Sequence, residues 1–300
     1  MWPANKRRHG RHYATESMPP YRLMPAFALL LVLNACAHAP NLQQRTGYVA
    51  NRSHAASAYN DRIRFVVLHY TRGDDARAFH NLLGPQVSSH YLITKNPSYI
   101  NGDPIIHQLV DEHKRAWHAG RSSWRGHRNI NDASIGIEIV NAGPATTAAG
   151  TTWAPYPPAQ INAVKVLLHD LIKRFNIAPQ NIVGHSDIAP SRKIDPGPAF
   201  PWQKLAQAGI GAWPEDDMIA HYRHLFAGNL PDIATIQQQL ARYGYTLPIT
   251  SQLDQRTQDV LRAFQLHFHP QRHDGMVDLE TVARLWALNA KYANNAKYAQ

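Results

Sequence analysis

Gly184-His185-Ser186-Asp187-Ile188-Ala189-Pro190-Ser191-Arg192-Lys193-Ile194-Asp195-Pro196-Gly197-Pro198 is the stretch on which the reading of this chain turns. A short apolar segment, Asn181–Gly184, delivers His185 from a strand end; Lys193 and Asp195 follow, and a Pro-Gly-Pro turn closes the run. Two other segments belong with it. Ile63-Arg64-Phe65-Val66-Val67-Leu68-His69 is an apolar, β-branched run ending on a histidine, and Ser134-Ile135-Gly136-Ile137-Glu138-Ile139-Val140-Asn141 carries a lone carboxylate. Runs of this kind read as buried central strands. Strand-end residues from neighbouring parallel or mixed strands can converge on one spot. Lys193 and Asp195, two apart in extended chain, can point to the same side.

Strand and helix signals alternate around these segments. Asp74–Leu83 reads as a short helix with acidic residues at its start, and Ser89–Thr94 and Ile105–Val110 as short strands. Pro158 can open a helix along which Ile161, Val164, Leu168, Leu171, Ile172 and Phe175 recur at three- and four-residue spacing. The expected fold class is therefore α/β: a mixed central β-sheet flanked by helices, over residues 61–222. Residues 142–157, rich in Ala, Thr, Gly and Pro, read as a surface excursion. From 229 to 291 the pattern becomes three helices, Ile233–Tyr243, Thr257–His267 and Leu279–Leu288. Each is too short to stand alone, which implies a small three-helix domain.

The hydrophobic share of 44% and charged share of 17% are those of a globular protein rather than a disordered one. Formal net charge is +10 over 300 residues; without residues 1–35 the balance is 26 basic to 20 acidic, about +6. That suits contact with an acidic polymer or a membrane surface. No arginine-rich or aromatic-interleaved run argues for nucleic acid. The sole cysteine, Cys36, excludes an intrachain disulfide framework. It follows basic residues, the apolar run Leu23–Leu33 and Asn34-Ala35. Such an order reads as a leader too short to span a bilayer. The expectation is a lipoprotein signal peptide over 1–35, lipid on Cys36, and a tether over 36–60. Met18 would give a shorter leader than Met1.

Taken singly, the candidate site residues carry little. A histidine after an apolar strand is more often a hydrogen-bonded core residue, and an aspartate before proline is more often a turn residue. Jointly, His69, His185 and Asp195 form a ligand set that leaves the fourth tetrahedral position of zinc open to water. Glu138, if it faces the core, has the raised pKa useful to a general base; if it faces solvent it is an ordinary strand residue. His185-Ser186-Asp187 is not a catalytic triad, because chain neighbours cannot aim at one another as a triad requires. His267, His269 and His273 read as polar loop histidines rather than a second metal site.

The segments Val67–Thr71, Ser88–Ile93, Trp117-His118-Ala119-Gly120, Asn131–Asn141, Gly184–Ile188 and Lys193–Gly197 together resemble the zinc-dependent N-acetylmuramoyl-L-alanine amidases of the amidase-2 family. That domain is similar to peptidoglycan recognition proteins and the T7-lysozyme type of amidase. The segments Ile236–Leu240, Tyr243-Gly244-Tyr245, Ala263-Phe264-Gln265 and Asp274-Gly275 resemble a type 1 peptidoglycan-binding domain. With the leader that ends at Cys36, the combination is similar to the AmiD-type outer-membrane amidases. The resemblance implies Zn²⁺ on His69, His185 and Asp195, with Glu138 as base and Lys193 stabilising the oxyanion. It also implies substrate contacts from Trp117, His118, Ala119 and Gly120, and from His90, Trp124, Asn131 and Ser134. The implied substrate is peptidoglycan or muropeptides, cut between muramic acid and L-alanine at the periplasmic face of the outer membrane. A non-catalytic recognition protein and a metallopeptidase cutting within the stem peptide are the alternatives.

Overall fold

The computed structural model describes residues 41–293. The leader and Cys36 lie outside the described residues. Residues 41–59 form a unit of their own, in which β1 (Leu42–Arg45) and β2 (Tyr48–Asn51) pair as an antiparallel hairpin turning at Gly47, φ +83°. Its side chains are nearly all exposed, so it left no alternation to read and was expected only as tether.

The remaining described residues, 60–293, belong to a second compact unit built on a five-stranded sheet. Its strands are β3 (Phe65–Tyr70), β4 (Tyr91–Ile93), β5 (His107–Gln108), β6 (Ser134–Ile139) and β7 (Ile182–Gly184), in the order β7-β3-β6-β4-β5. All pairings are parallel except the antiparallel β4–β5 edge. Glu138 on β6 registers with His69 on β3, and Gly184 on β7 with Leu68, so His185 follows level with His69. Three site residues therefore stand side by side at the carboxyl ends of adjacent strands, where open parallel sheets place their ligand crevices.

Strand alternation decides what each face touches. Val66, Leu68, Ile135, Ile137 and Ile139 turn to one face and pack with Ile161, Val164, Leu168 and Leu171 of α2 (Pro158–Phe175). Proline at the first position and Asn176 in the left-handed region bound that helix. Phe65, Val67 and His69 turn to the other face, with Ser134, Gly136 and Glu138 beside them. Here the cover comes from loop 115–133 and from the C-terminal helices.

Before those helices come α1 (Asp75–Leu82), the single-turn α3 (His185–Ile188), α4 (Trp202–Gln207) and α5 (Asp216–Phe226). They are followed by α6 (Ile233–Tyr243), α7 (Gln255–Phe268) and α8 (Leu279–Leu288). Asp232, Asp254 and Asp278 cap the last three identically, each side chain accepting the N–H of a threonine three residues on. Helix α5 runs across position 222 and packs on α8, with Ile219 against Ala283 and Ala287 and Arg223 paired to Glu280. A boundary at 222 would cut this helix. The helical body shares one core with the sheet-bearing half: Phe65, Val67, Trp124 and Val183 lie in the same cluster as Leu240, Tyr243, Phe264 and Leu285.

Two shorter elements depart from expectation. Ile105–Val110 holds only two strand residues, and 142–157 contains an antiparallel hairpin, Pro144–Thr147 with Gly150–Trp153. That hairpin is exposed on both faces over most of its length, which is why periodicity did not disclose it.

Candidate metal centre

His69 Nδ1, His185 Nδ1 and Asp195 Oδ2 form a nearly equilateral triangle. The nitrogens are 2.9 Å apart and each lies 3.1 Å from the carboxylate oxygen. All three residues are buried. Bonds of the usual zinc length in tetrahedral geometry set ligand atoms roughly 3.3 Å apart. The donor set therefore fits a small divalent cation with one position left facing the cavity.

Local structure holds each donor in place. Ser186 N donates to Asp195 O at 2.9 Å, folding the 185–195 loop back on itself. Gly184 makes this possible: a Cβ there would lie 2.7 Å from Pro196 Cδ. His185 Nε2 faces the carbonyl of Ala119 at 3.1 Å and must donate to it, so Nδ1 carries the free lone pair. His69 Nε2 meets His118 Nδ1 at 3.0 Å, and His118 Nε2 meets Ser134 Oγ at 3.1 Å. Donation along this chain, from His69 to His118 to Ser134, leaves His69 Nδ1 free as well. Buried partners of this kind orient metal-binding imidazoles and raise their basicity.

Gly136 is as necessary as the donors. A Cβ at this position would sit 2.4 Å from Cγ of the His118 ring. Strand β6 thus sends three residues to the site: Ser134 to bond His118, Gly136 to make room for it, and Glu138 into the cavity.

Burial first, then the charge of His185, pushes His69 down to about 4, so it is neutral and ready to bind a cation. For Asp195 burial works against ionisation, but the neighbouring His185 and His69 outweigh it and hold the carboxyl well below its usual range. Glu138 is pushed up to about 8, by burial and then by the charge of Asp195, against the opposing pull of Lys193. Its Oε2 is buried and has no hydrogen-bond partner among the described residues. Glu138, Lys193, the three donors, Trp117 and His118 line one cavity of about 460 Å³.

The other expected contacts are distributed differently. Trp117 is 54% exposed at the mouth. Gly120 is exposed in the left-handed region, φ +58°, beside Arg192. Trp124 is a correction. It is 1% exposed, edge-on to Tyr243 and Tyr245, and its Nε1 donates to Gln180 O, so it is a core residue rather than a groove contact. His90, Asn131, Ser134 and Ala119 are also buried behind the cavity wall. Asn131 Oδ1 accepts the N–H groups of His118 and Ala119, while His90 Nδ1 accepts that of Gly136. These residues hold the wall in shape. His118, expected to touch substrate, also braces His69. Sequence reasoning missed Arg72, Asn81, Ser88 and Arg192, which line the same cavity. Nothing in their local pattern separates them from surface residues, although Arg192 adjoins Lys193.

Comparison with known proteins gives the family. Residues 59–198 match the N-acetylmuramoyl-L-alanine amidase family, and 229–285 match a peptidoglycan binding domain. N-acetylmuramoyl-L-alanine amidase AmiD of Escherichia coli is 45% identical over 273 residues, covering 89% of this chain and 97% of that protein. The chain belongs to the N-acetylmuramoyl-L-alanine amidase family. Among solved structures, E. coli AmiD in complex with the substrate anhydro-N-acetylmuramic acid-L-Ala-D-gamma-Glu-L-Lys superposes with a TM-score of 0.79. It is 44% identical and covers 85% of this chain and 99% of that one. AmpDh3 from Pseudomonas aeruginosa, in complex with anhydromuramic pentapeptide, gives a TM-score of 0.73 at 42% identity, covering 83% and 98%.

Proposed function

We propose that His69, His185 and Asp195 hold Zn²⁺, and that around it the chain hydrolyses the amide between N-acetylmuramic acid and L-alanine of the peptidoglycan stem. Family membership supports the reaction. The observation that carries the site assignment is the 3 Å donor triangle sharing one cavity with a carboxylate whose Oε2 is buried and unpartnered among the described residues. When bound, Zn²⁺ supplies Lewis acidity, polarising the scissile carbonyl and acidifying the attacking water.

Glu138 is the general base. It takes the proton from the attacking water and hands it to the leaving amine, as its place in the cavity level with His69 allows. Lys193 stabilises the negative charge that develops on the carbonyl oxygen. Trp117 offers an exposed indole face at the mouth for sugar or peptide stacking. No cysteine other than Cys36 exists and no covalent nucleophile is required.

Residues 1–35 would be removed and Cys36 lipidated, anchoring the enzyme at the outer membrane and facing the periplasm. No described helix is long and apolar enough to cross a membrane. The three-helix body would hold the enzyme on the wall.

Mass spectrometry of digested sacculi tests the reaction: released intact stem peptides support an amidase, shortened stems a peptidase, and no release a binder. Chelator should abolish release and Zn²⁺ restore it. Lys193→Ala should be nearly inactive while retaining its metal; full turnover by that variant would remove the oxyanion role.

A further inference from the structure

A second concavity lies on the seam between the catalytic half and the helical body. It encloses about 730 Å³, within the size range of small-molecule sites. One wall is the 121–129 hairpin with Arg121 and Arg128; the opposite wall is the start of α7 with Arg256; Ile188 and Val260 are buried at its base. The guanidiniums of Arg121 and Arg128 are exposed and meet no acceptor among the described residues. Arg256 reaches only the carbonyl of Thr246, at 3.5 Å. The single carboxylate of the lining, Asp259, is already engaged by Gln255 and Arg262. Three cations thus face solvent against one occupied anion.

The groove is also rigid. Tyr245 Oη donates to Asp187 Oδ1 at 2.6 Å, and Asp187 Oδ2 lies 2.8 Å from His267 Nδ1, all within the shared core. Arg125 N donates to Gly244 O at 2.9 Å, and its guanidinium to Tyr243 O. Fixed walls spare a ligand the cost of ordering them. The groove adjoins the catalytic cavity: Ser191 lines one, Arg192 and Lys193 the other, and Arg192 bonds to the carbonyls of Ala119 and Arg121 between them.

We propose that this groove binds a carboxylate-bearing stem peptide of peptidoglycan other than the stem being cut. A stem joined through a γ-linked glutamate leaves that residue's α-carboxylate free and adds a terminal one, which suits paired guanidiniums. The inference rests on the amidase reading only for its choice of polymer.

The test measures binding of zinc-loaded protein carrying Glu138→Gln, so that the wall is not digested, to intact sacculi and to sacculi stripped of stems. Adding Arg121→Gln, Arg128→Gln and Arg256→Gln should weaken binding to intact sacculi roughly tenfold and flatten its salt dependence. The preference for intact over stripped sacculi should narrow to what the stem in the catalytic cavity supplies. Equal binding by parent and triple variant, or equal binding of the parent to intact and stripped glycan, overturns the proposal. Thermal melts check the fold, and single Arg128→Gln and Arg256→Gln proteins replace the triple variant if it melts early. Stem release by the wild-type enzyme is measured in parallel: its absence, with groove binding intact, counts against the catalytic reading and not against the groove.

Discussion

Gly136→Ala adds one methyl group and should damage the metal centre without touching a ligand. The new Cβ would fall 2.4 Å from Cγ and 2.5 Å from Cδ2 of His118. Carbon atoms rest at about 3.5–4.0 Å, so the ring must retreat by roughly an ångström or more. His118 is held at 3.0 Å from His69 Nε2 and 3.1 Å from Ser134 Oγ, and a retreat of that size breaks at least the first bond. Loss of such a partner typically weakens metal binding about 10–100-fold. Overpacking should cost about 1–3 kcal/mol of stability in addition. Zinc affinity is read by competition with a chromophoric chelator, and stability by denaturant titration of the chelated protein. His118→Ala should lose a similar share of affinity, and the Gly136→Ala/His118→Ala pair no more than either alone, because both act through one contact. Wild-type zinc affinity in Gly136→Ala would refute the argument, and so would additive losses in the pair.

Glu138→Gln should lower turnover by about 10²–10⁴-fold while keeping the metal. It should also change how the chelated protein responds to pH. The Glu138 carboxyl has a folded pKa of about 8 against an ordinary 4.5, so the unfolded chain gives up its proton first as pH rises. Wild-type stability should therefore fall between those values, by up to about 5 kcal/mol, and Glu138→Gln should remove that fall; parallel melting profiles for the two proteins would sink the assignment. Trp124→Ala should destabilise by about 3–5 kcal/mol while leaving KM for a soluble muropeptide unchanged. A raised KM with normal stability would restore Trp124 to the substrate groove. Tyr245→Phe strands one oxygen of buried Asp187 and should cost about 1–3 kcal/mol, with the catalytic half and helical body still unfolding in one transition. Two separated transitions would contradict the shared core.

The parts of the site that could be read in advance are those carried by strands. Phe65–His69 and Ser134–Ile139 announce themselves by β-branched content, and parallel pairing then brings His69, Glu138 and His185 level. The alternation Ser134, Gly136, Glu138 against Ile135, Ile137, Ile139 is in the primary structure too, and it separates the site face from the α2 face. What could not be read is where loop residues point. Trp117 and Trp124 lie seven positions apart in a segment without periodicity, yet one is at the mouth and the other in the core. Only contact with Tyr243 and Tyr245, more than a hundred residues away, decides it. The hairpins at 42–51 and 144–153 stayed hidden because they bury little, and the docking of α6–α8 because it depends on long-range packing.

The common core has a consequence for how such a protein can be rearranged. Trp124, Tyr243, Tyr245 and Asp187 interlock across the seam, so neither half can be exchanged for a homologous piece without repairing the other's interior. Chimeras joined at residue 228 would inherit a mismatched surface where a wall of side chains should be. The two halves are best engineered as a single part.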